Sequence, residues 1–122
     1  MRPKFLLDEN ISAAYWHAIA TYNESAAIPI DVIRVGDRDD LPKGMKDPEL
    51  LLWAELHGHI LVSHDKKTLR THLADHLARG HHLPGLFLLG VHSSVQNIVE
   101  LLAVAARSED AGEWQDLIEF LT

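Results

Sequence analysis

Short continuous apolar runs, each closed by polar residues and followed by a segment of helical spacing, recur along this chain and constrain its fold more than any other feature. Lys4-Phe-Leu-Leu7 is too short for a helix and apolar throughout, as a strand buried on both faces requires. After Asp8-Glu-Asn-Ile11, Ser12 is placed to cap a helix through about Tyr22, with Tyr15, Ala18, Ile19 and Tyr22 on one face. Asp31 to Val35 reads as the second strand, and Gly36 to Lys46 as a long polar loop. Asp47-Pro48-Glu49 marks the next helix: Asp47 as its cap, Pro48 in the first turn and Glu49 complementing the dipole, with Gly58 as the stop. His59 to Ser63 is the third strand, ending at His64-Asp65, and a helix from about Thr68 to Arg79 follows. Leu86 to Leu89 is the fourth strand, Ser93 or Ser94 caps a helix through Arg107, and Leu117 to Leu121 reads as a short edge strand or a helix. Such alternation predicts an α/β fold of three layers, α/β/α, around a mostly parallel sheet, with residues 1–122 as a single domain.

Composition narrows the function classes. The chain has no cysteine, which excludes disulfides and thiolate metal sites and is consistent with a reducing, cytoplasmic setting. Phe5-Leu-Leu7 is too short for a signal-peptide core, and no stretch could span a bilayer, so no membrane partner is expected. The net charge of −7 argues against a protein that coats nucleic acid by neutralising phosphates. Its distribution is uneven, however: residues 1–70 hold nine Lys and Arg against eleven Asp and Glu, and residues 71–122 hold two against seven. The basic residues gather at Arg34 to Lys46 and Lys66 to Arg70, leaving a local positive rim that can meet phosphates.

In a parallel sheet all C-terminal strand ends share one edge, where ligands of open α/β folds bind. Asp8 closes the first strand, Asp65 the third, and Asp47 starts a helix whose N-terminus belongs at that edge. Three carboxylates converging there repel one another unless protons, cations or a divalent metal intervene. An oxygen-only set suits Mg²⁺ or Mn²⁺, which bind phosphate oxygens and activate water.

Three separated motifs, Phe5-Leu-Leu-Asp-Glu-Asn10, Lys46-Asp-Pro-Glu-Leu-Leu-Leu-Trp-Ala54 and His59-Ile-Leu-Val-Ser-His-Asp65, resemble in order and spacing the DUF5615 family of PIN-like proteins. The resemblance runs from the first strand to the fourth. It implies a PIN-like fold and a metal-dependent endoribonuclease using Mg²⁺ or Mn²⁺, with RNA as substrate and a toxin–antitoxin setting in which a cognate antitoxin protein is the partner. By that similarity Asp8, Asp47 and Asp65 fall on the family's acidic positions as catalytic and metal-holding residues, with Glu9 and Glu49 as neighbouring ligands. Asn10, Lys66, Lys67 and Arg70 are the candidates for substrate contacts, and a homodimer is an open assembly. Lys67 stands where many members carry a second Asp.

Simpler roles compete for the same residues. Asp8 could close an Asx-turn, although Asp-Glu-Asn is an unusually polar exit from a core strand and favours a site. Cap chemistry accounts for Asp47, Asp65 is equally placed to cap the following helix, and Glu49, Lys66, Lys67 and Arg70 read as solvated first-turn residues. His72 and His76 have metal-ligand spacing on one helix, with His81-His82 just beyond, but no neighbouring Cys or Glu in sequence completes a zinc set. Trp16, Trp53 and Trp114 read as packing residues. Besides the nuclease, two readings remain: a catalytically inactive binding or regulatory module of the same fold, and a receiver-like phosphoacceptor. The last lacks the lysine it needs near its final strand, since no Lys follows Lys67.

Overall fold

The computed structural model of the chain describes residues 1–64 and 67–122. In chain order the elements are β1 (Lys4–Leu7), α1 (Ala13–Asn23), β2 (Asp31–Arg34), α2 (Asp47–His57), β3 (His59–His64), α3 (Lys67–Ala78), β4 (Leu86–Leu89), α4 (Val95–Ala106), a short 3₁₀ turn (Ala111–Trp114) and β5 (Ile118–Leu121). The strands form one all-parallel sheet in the order β2-β1-β3-β4-β5. Alternate residues of each central strand point to opposite faces, so one strand feeds two cores. Phe5, Leu7, Ile60, Val62, Phe87 and Leu89 pack under α1 and α4, whereas Leu6, Leu61, Leu86 and Leu88 pack under α2 and α3. The result is the expected three-layer α/β/α arrangement, and the last segment resolves as an edge strand. None of the helices is long and apolar enough to cross a membrane among the described residues.

The helix boundaries follow local chemistry, with one correction. Ser12 Oγ accepts from the Ala14 N–H at 3.0 Å, and Ser94 Oγ accepts from the Asn97 N–H at 3.4 Å, so both serines cap as their sequence positions imply. Gly58 closes α2 at φ 71°, a left-handed conformation that lets the chain reverse directly into β3. Asp47, by contrast, is not the cap of α2. Lys46 occupies that position without a side-chain bond, and Asp47 is already inside the first turn, one residue before Pro48. Because Pro48 has no N–H, and the residue before a proline is steered away from helical φ/ψ, sequence places the boundary at Asp47; the chain instead enters the helix one residue early.

The polar loop between β2 and α2 is tied down at several points. Leu41 is fully buried among the α2/α3-side residues, and its carbonyl accepts from the Gly36 N–H at 2.7 Å. Asp40 accepts from the Trp53 indole at 3.1 Å and from Arg38 at 3.0 Å, and these bonds hold its carboxyl below the usual carboxylate range. The loop is therefore a fixed wall rather than a free connection, which matters for the site it borders.

Candidate active site at the end of strand one

The strand order reverses between β1 and β3: the helix after β1 packs on one face of the sheet and the helix after β3 on the other. Such a reversal opens a crevice at the C-terminal edge, the usual ligand position in open α/β sheets. Leu7 pairs in register with Val62, and the Asp8 N–H continues the ladder to the Val62 carbonyl at 2.9 Å. Asp8 and Ser63 are thus neighbours across the two strands, both on the α2/α3 side.

Asp8 is 6% exposed, unusual for a carboxylate. Its Oδ1 accepts from the Glu9 N–H at 2.8 Å, and its Oδ2 accepts from the hydroxyl of fully buried Ser63 at 2.9 Å. Asn10 completes the group, its Nδ2 donating to Ser63 Oγ at 3.3 Å. The bond goes to the very next N–H rather than two residues on, so it is not the Asx-turn that the sequence offered as the simpler role, and it employs only one oxygen. A carboxylate oxygen has two lone pairs, so among the described residues each oxygen of Asp8 retains one acceptor site in a fixed orientation.

Asp8 and Glu9 open into a cleft of about 270 Å³ bounded by Ser12, the cap of α1, by Trp16 of that helix and by the β2–α2 loop. Glu9 Oε1 accepts from the Gly44 N–H at 2.9 Å, which pins that loop against the β1 exit. Lys43 lies across Gly36, whose φ of 98° and lack of a Cβ permit the approach; a Cβ there would meet Lys43 Cγ at 3.0 Å. The Arg34 guanidinium sits 4.2 Å above the Trp16 ring and pairs with Asp37 at 3.1 Å. Lys43 has no ion-pair partner among the described residues, so the cleft joins a buried anion to an uncompensated cation.

The structure brings some of the sequence candidates together and separates others. Asp8, Glu9 and Asn10 share the β1 exit. Asp47 is half-buried and Glu49 exposed at the start of α2. Lys67 is exposed at the start of α3, and the Arg70 guanidinium lies 5.9 Å from the Phe120 ring centroid, toward β5. Asp65 and Lys66 lie outside the described residues. Among the described residues, Asp8, Glu9, Asp47 and Glu49 do not set three ligand atoms within 4.8 Å of one another, so no three-carboxylate centre forms from them alone.

Sequence reading missed Ser63 as a partner of Asp8, and the register explains why. Two residues 55 apart become neighbours only once β1 and β3 are paired with Leu7 beside Val62. Arg34 and Lys43 were legible only as members of a basic stretch. His64, next along β3, faces the α1 layer edge-on to Tyr15, and its buried Nδ1 has no hydrogen-bond partner among the described residues. A buried ring nitrogen left unpaired costs about 1–3 kcal/mol and is a mark of sites that a ligand or water completes.

No family model, no curated protein and no solved structure matches this chain.

Proposed function

We propose that the β1-exit cleft is the active site of a PIN-like, metal-dependent endoribonuclease in which Asp8 is the principal metal-holding carboxylate. The observation that carries this reading is the buried, doubly hydrogen-bonded Asp8 at the β1/β3 reversal, with a lone pair left on each oxygen among the described residues. Its donors are hard oxygens, which fit Mg²⁺ or Mn²⁺. Mg²⁺ binds through one or two carboxylates while keeping several waters, so a three-carboxylate set is not required. Asp8 would hold the ion, with Glu9 beside it and Asp47 and Asp65 as the further oxygen donors that the family resemblance implies. When bound, such an ion supplies positive charge for a phosphate oxygen and lowers the pKa of a coordinated water.

The protein's own residues do the remaining work. Ser63 and the Glu9 N–H fix the plane of the Asp8 carboxylate, so its free lone pairs need no reorganisation. Lys43 and Arg34 supply cationic contacts along the cleft for the phosphates of a single strand, offsetting the overall negative charge. The indole of Trp16 is already stacked under Arg34 and acts as packing, in keeping with its sequence reading.

The test is cleavage of single-stranded RNA with Mg²⁺ or Mn²⁺, comparing wild type, Asp8→Asn and an EDTA control. Cleavage that EDTA and Asp8→Asn both abolish supports the reading. Cleavage that persists in Asp8→Asn refutes the site, and metal-dependent binding of RNA or protein without cleavage assigns the fold to a regulatory module.

A further inference from the structure

We propose that Glu55, His76 and His81 form a zinc-type transition-metal site that clasps α2, α3 and the α3–β4 loop, separate from the β1-exit cleft. These three are the residues that, among those described, bring three ligand atoms within 4.8 Å of one another. His76 Nε2 and His81 Nδ1 each lie 3.2 Å from Glu55 Oε1. Two donors bound about 2.0–2.1 Å from one tetrahedral zinc ion are about 3.3 Å apart, so both separations match one edge of such a site. The two imidazole rings stack 20° from parallel with centroids 4.8 Å apart, so for both in-plane lone pairs to meet one ion the partly exposed His81 ring has to turn about its side-chain torsions, while the buried His76 ring stays in place. Two histidines and a glutamate are a borderline N/O set that favours zinc over magnesium.

The supporting contacts fix the ligands in place. Glu55 Oε2 accepts from the His82 N–H at 2.9 Å, leaving Oε1 as the oxygen turned to the histidines. His82 is held in turn by Asp116, whose two carboxylate oxygens accept from His82 Nδ1 at 2.7 Å and from the Leu83 N–H at 2.8 Å. The loop carrying His81 is thus anchored on both sides without metal, as ligand orientation by neighbouring hydrogen bonds requires. His76 is 5% exposed, and its Nε2 donates to the His82 carbonyl at 2.9 Å in the metal-free state. Binding would replace that bond, with the neutral ring taking the tautomer that carries its proton on Nδ1 so that Nε2 presents a lone pair. His76 and His81 also line a cleft of about 300 Å³ with His72 and Asp75, which brings solvent to both histidines.

The experiment titrates ZnCl₂ into EDTA-stripped protein by calorimetry and repeats it with Co²⁺, whose visible absorption distinguishes tetrahedral from octahedral sites. One ion per chain with a tetrahedral cobalt spectrum is expected. Glu55→Gln, which keeps a carbonyl oxygen for the His82 N–H, and His81→Ala, at a partly exposed position, should each weaken zinc binding at least about tenfold, the least that even outer contacts to a metal contribute. Asp8→Asn, His17→Ala and His92→Ala should bind zinc as the wild type does. No saturable zinc binding, unchanged affinity in Glu55→Gln and His81→Ala, or an equal loss in His92→Ala would overturn the proposal.

Discussion

Replacing Asp8 by alanine and by asparagine separates its structural work from its charge. Alanine removes the acceptor of two donors, the Glu9 N–H at 2.8 Å and the Ser63 hydroxyl at 2.9 Å. Glu9 is exposed and its N–H can turn to water, but Ser63 is fully buried and its hydroxyl is left with Asn10 Oδ1 at 3.5 Å. One poorly satisfied buried donor costs about 1–3 kcal/mol, and with the lost Glu9 bond Asp8→Ala should cost about 2–3 kcal/mol. Asparagine keeps Oδ1 for the Glu9 N–H and places an amide against Ser63. The serine then accepts from it and is left to donate to Asn10 Oδ1 at 3.5 Å, so the bond between residues 8 and 63 survives with its polarity reversed and only the hydroxyl proton is less well placed. Asp8→Asn should therefore remain within about 1 kcal/mol of wild type. At about 4 °C per kcal/mol for a chain of this size, Tm falls by about 8–12 °C for alanine and by less than about 4 °C for asparagine. Urea unfolding with equal m-values measures both. An asparagine variant as unstable as the alanine variant would refute the reversible Ser63–Asn10 pairing, and an alanine variant as stable as wild type would refute the structural role altogether.

Two further outcomes follow from the same geometry. Ser63→Ala combined with Asp8→Ala in a double-mutant cycle should show a coupling of about 1–2 kcal/mol, and a coupling near zero would mean that the 2.9 Å bond contributes nothing. For the loop anchor, the hydrogen bond and charge of Asp116 raise the His82 imidazole above its ordinary 6.5, while burial pushes the Asp116 carboxyl up less than the bonds from His82 and Leu83 pull it below 3.8. The histidine contribution is complete below pH 6.5 and fades as pH rises through its raised value; the aspartate contribution is complete above pH 3.8 and fades as pH falls through its lowered value. The stability lost in Asp116→Asn should thus be greatest between pH 3.8 and 6.5 and shrink as pH rises through the raised value of His82. Chemical denaturation across pH would show it, and a pH-independent difference would contradict the pairing.

Much of this architecture is legible in local chemistry. Phe5-Leu-Leu7 and Leu86 to Leu89 are strands because apolar runs this short serve only where both faces are buried, and Ser12 and Ser94 cap because their hydroxyls reach unpaired helix N–H groups. Asp8 was marked by the same logic, as a charge at the end of a buried strand. What escaped depends on distant packing. Ser63 joins Asp8 only through strand register, and Glu55 joins His76 and His81 only because α2 and α3 lie side by side. Histidine spacing alone therefore left the zinc set incomplete. The loop after β2 reads as polar connection, yet Leu41 anchors it in the core and Asp40 holds it to Trp53, contacts that no local pattern announces.

The most direct test of the account is a crystal of the protein soaked in Mn²⁺, with anomalous differences locating the ion. An ion bonded to an Asp8 oxygen, with Ser63 Oγ and the Glu9 N–H retaining their bonds to the carboxylate, is the predicted result. No anomalous density at Asp8 while Mn²⁺ is bound elsewhere on the chain, or an Asp8 carboxylate that must abandon Ser63 to reach the ion, would contradict it.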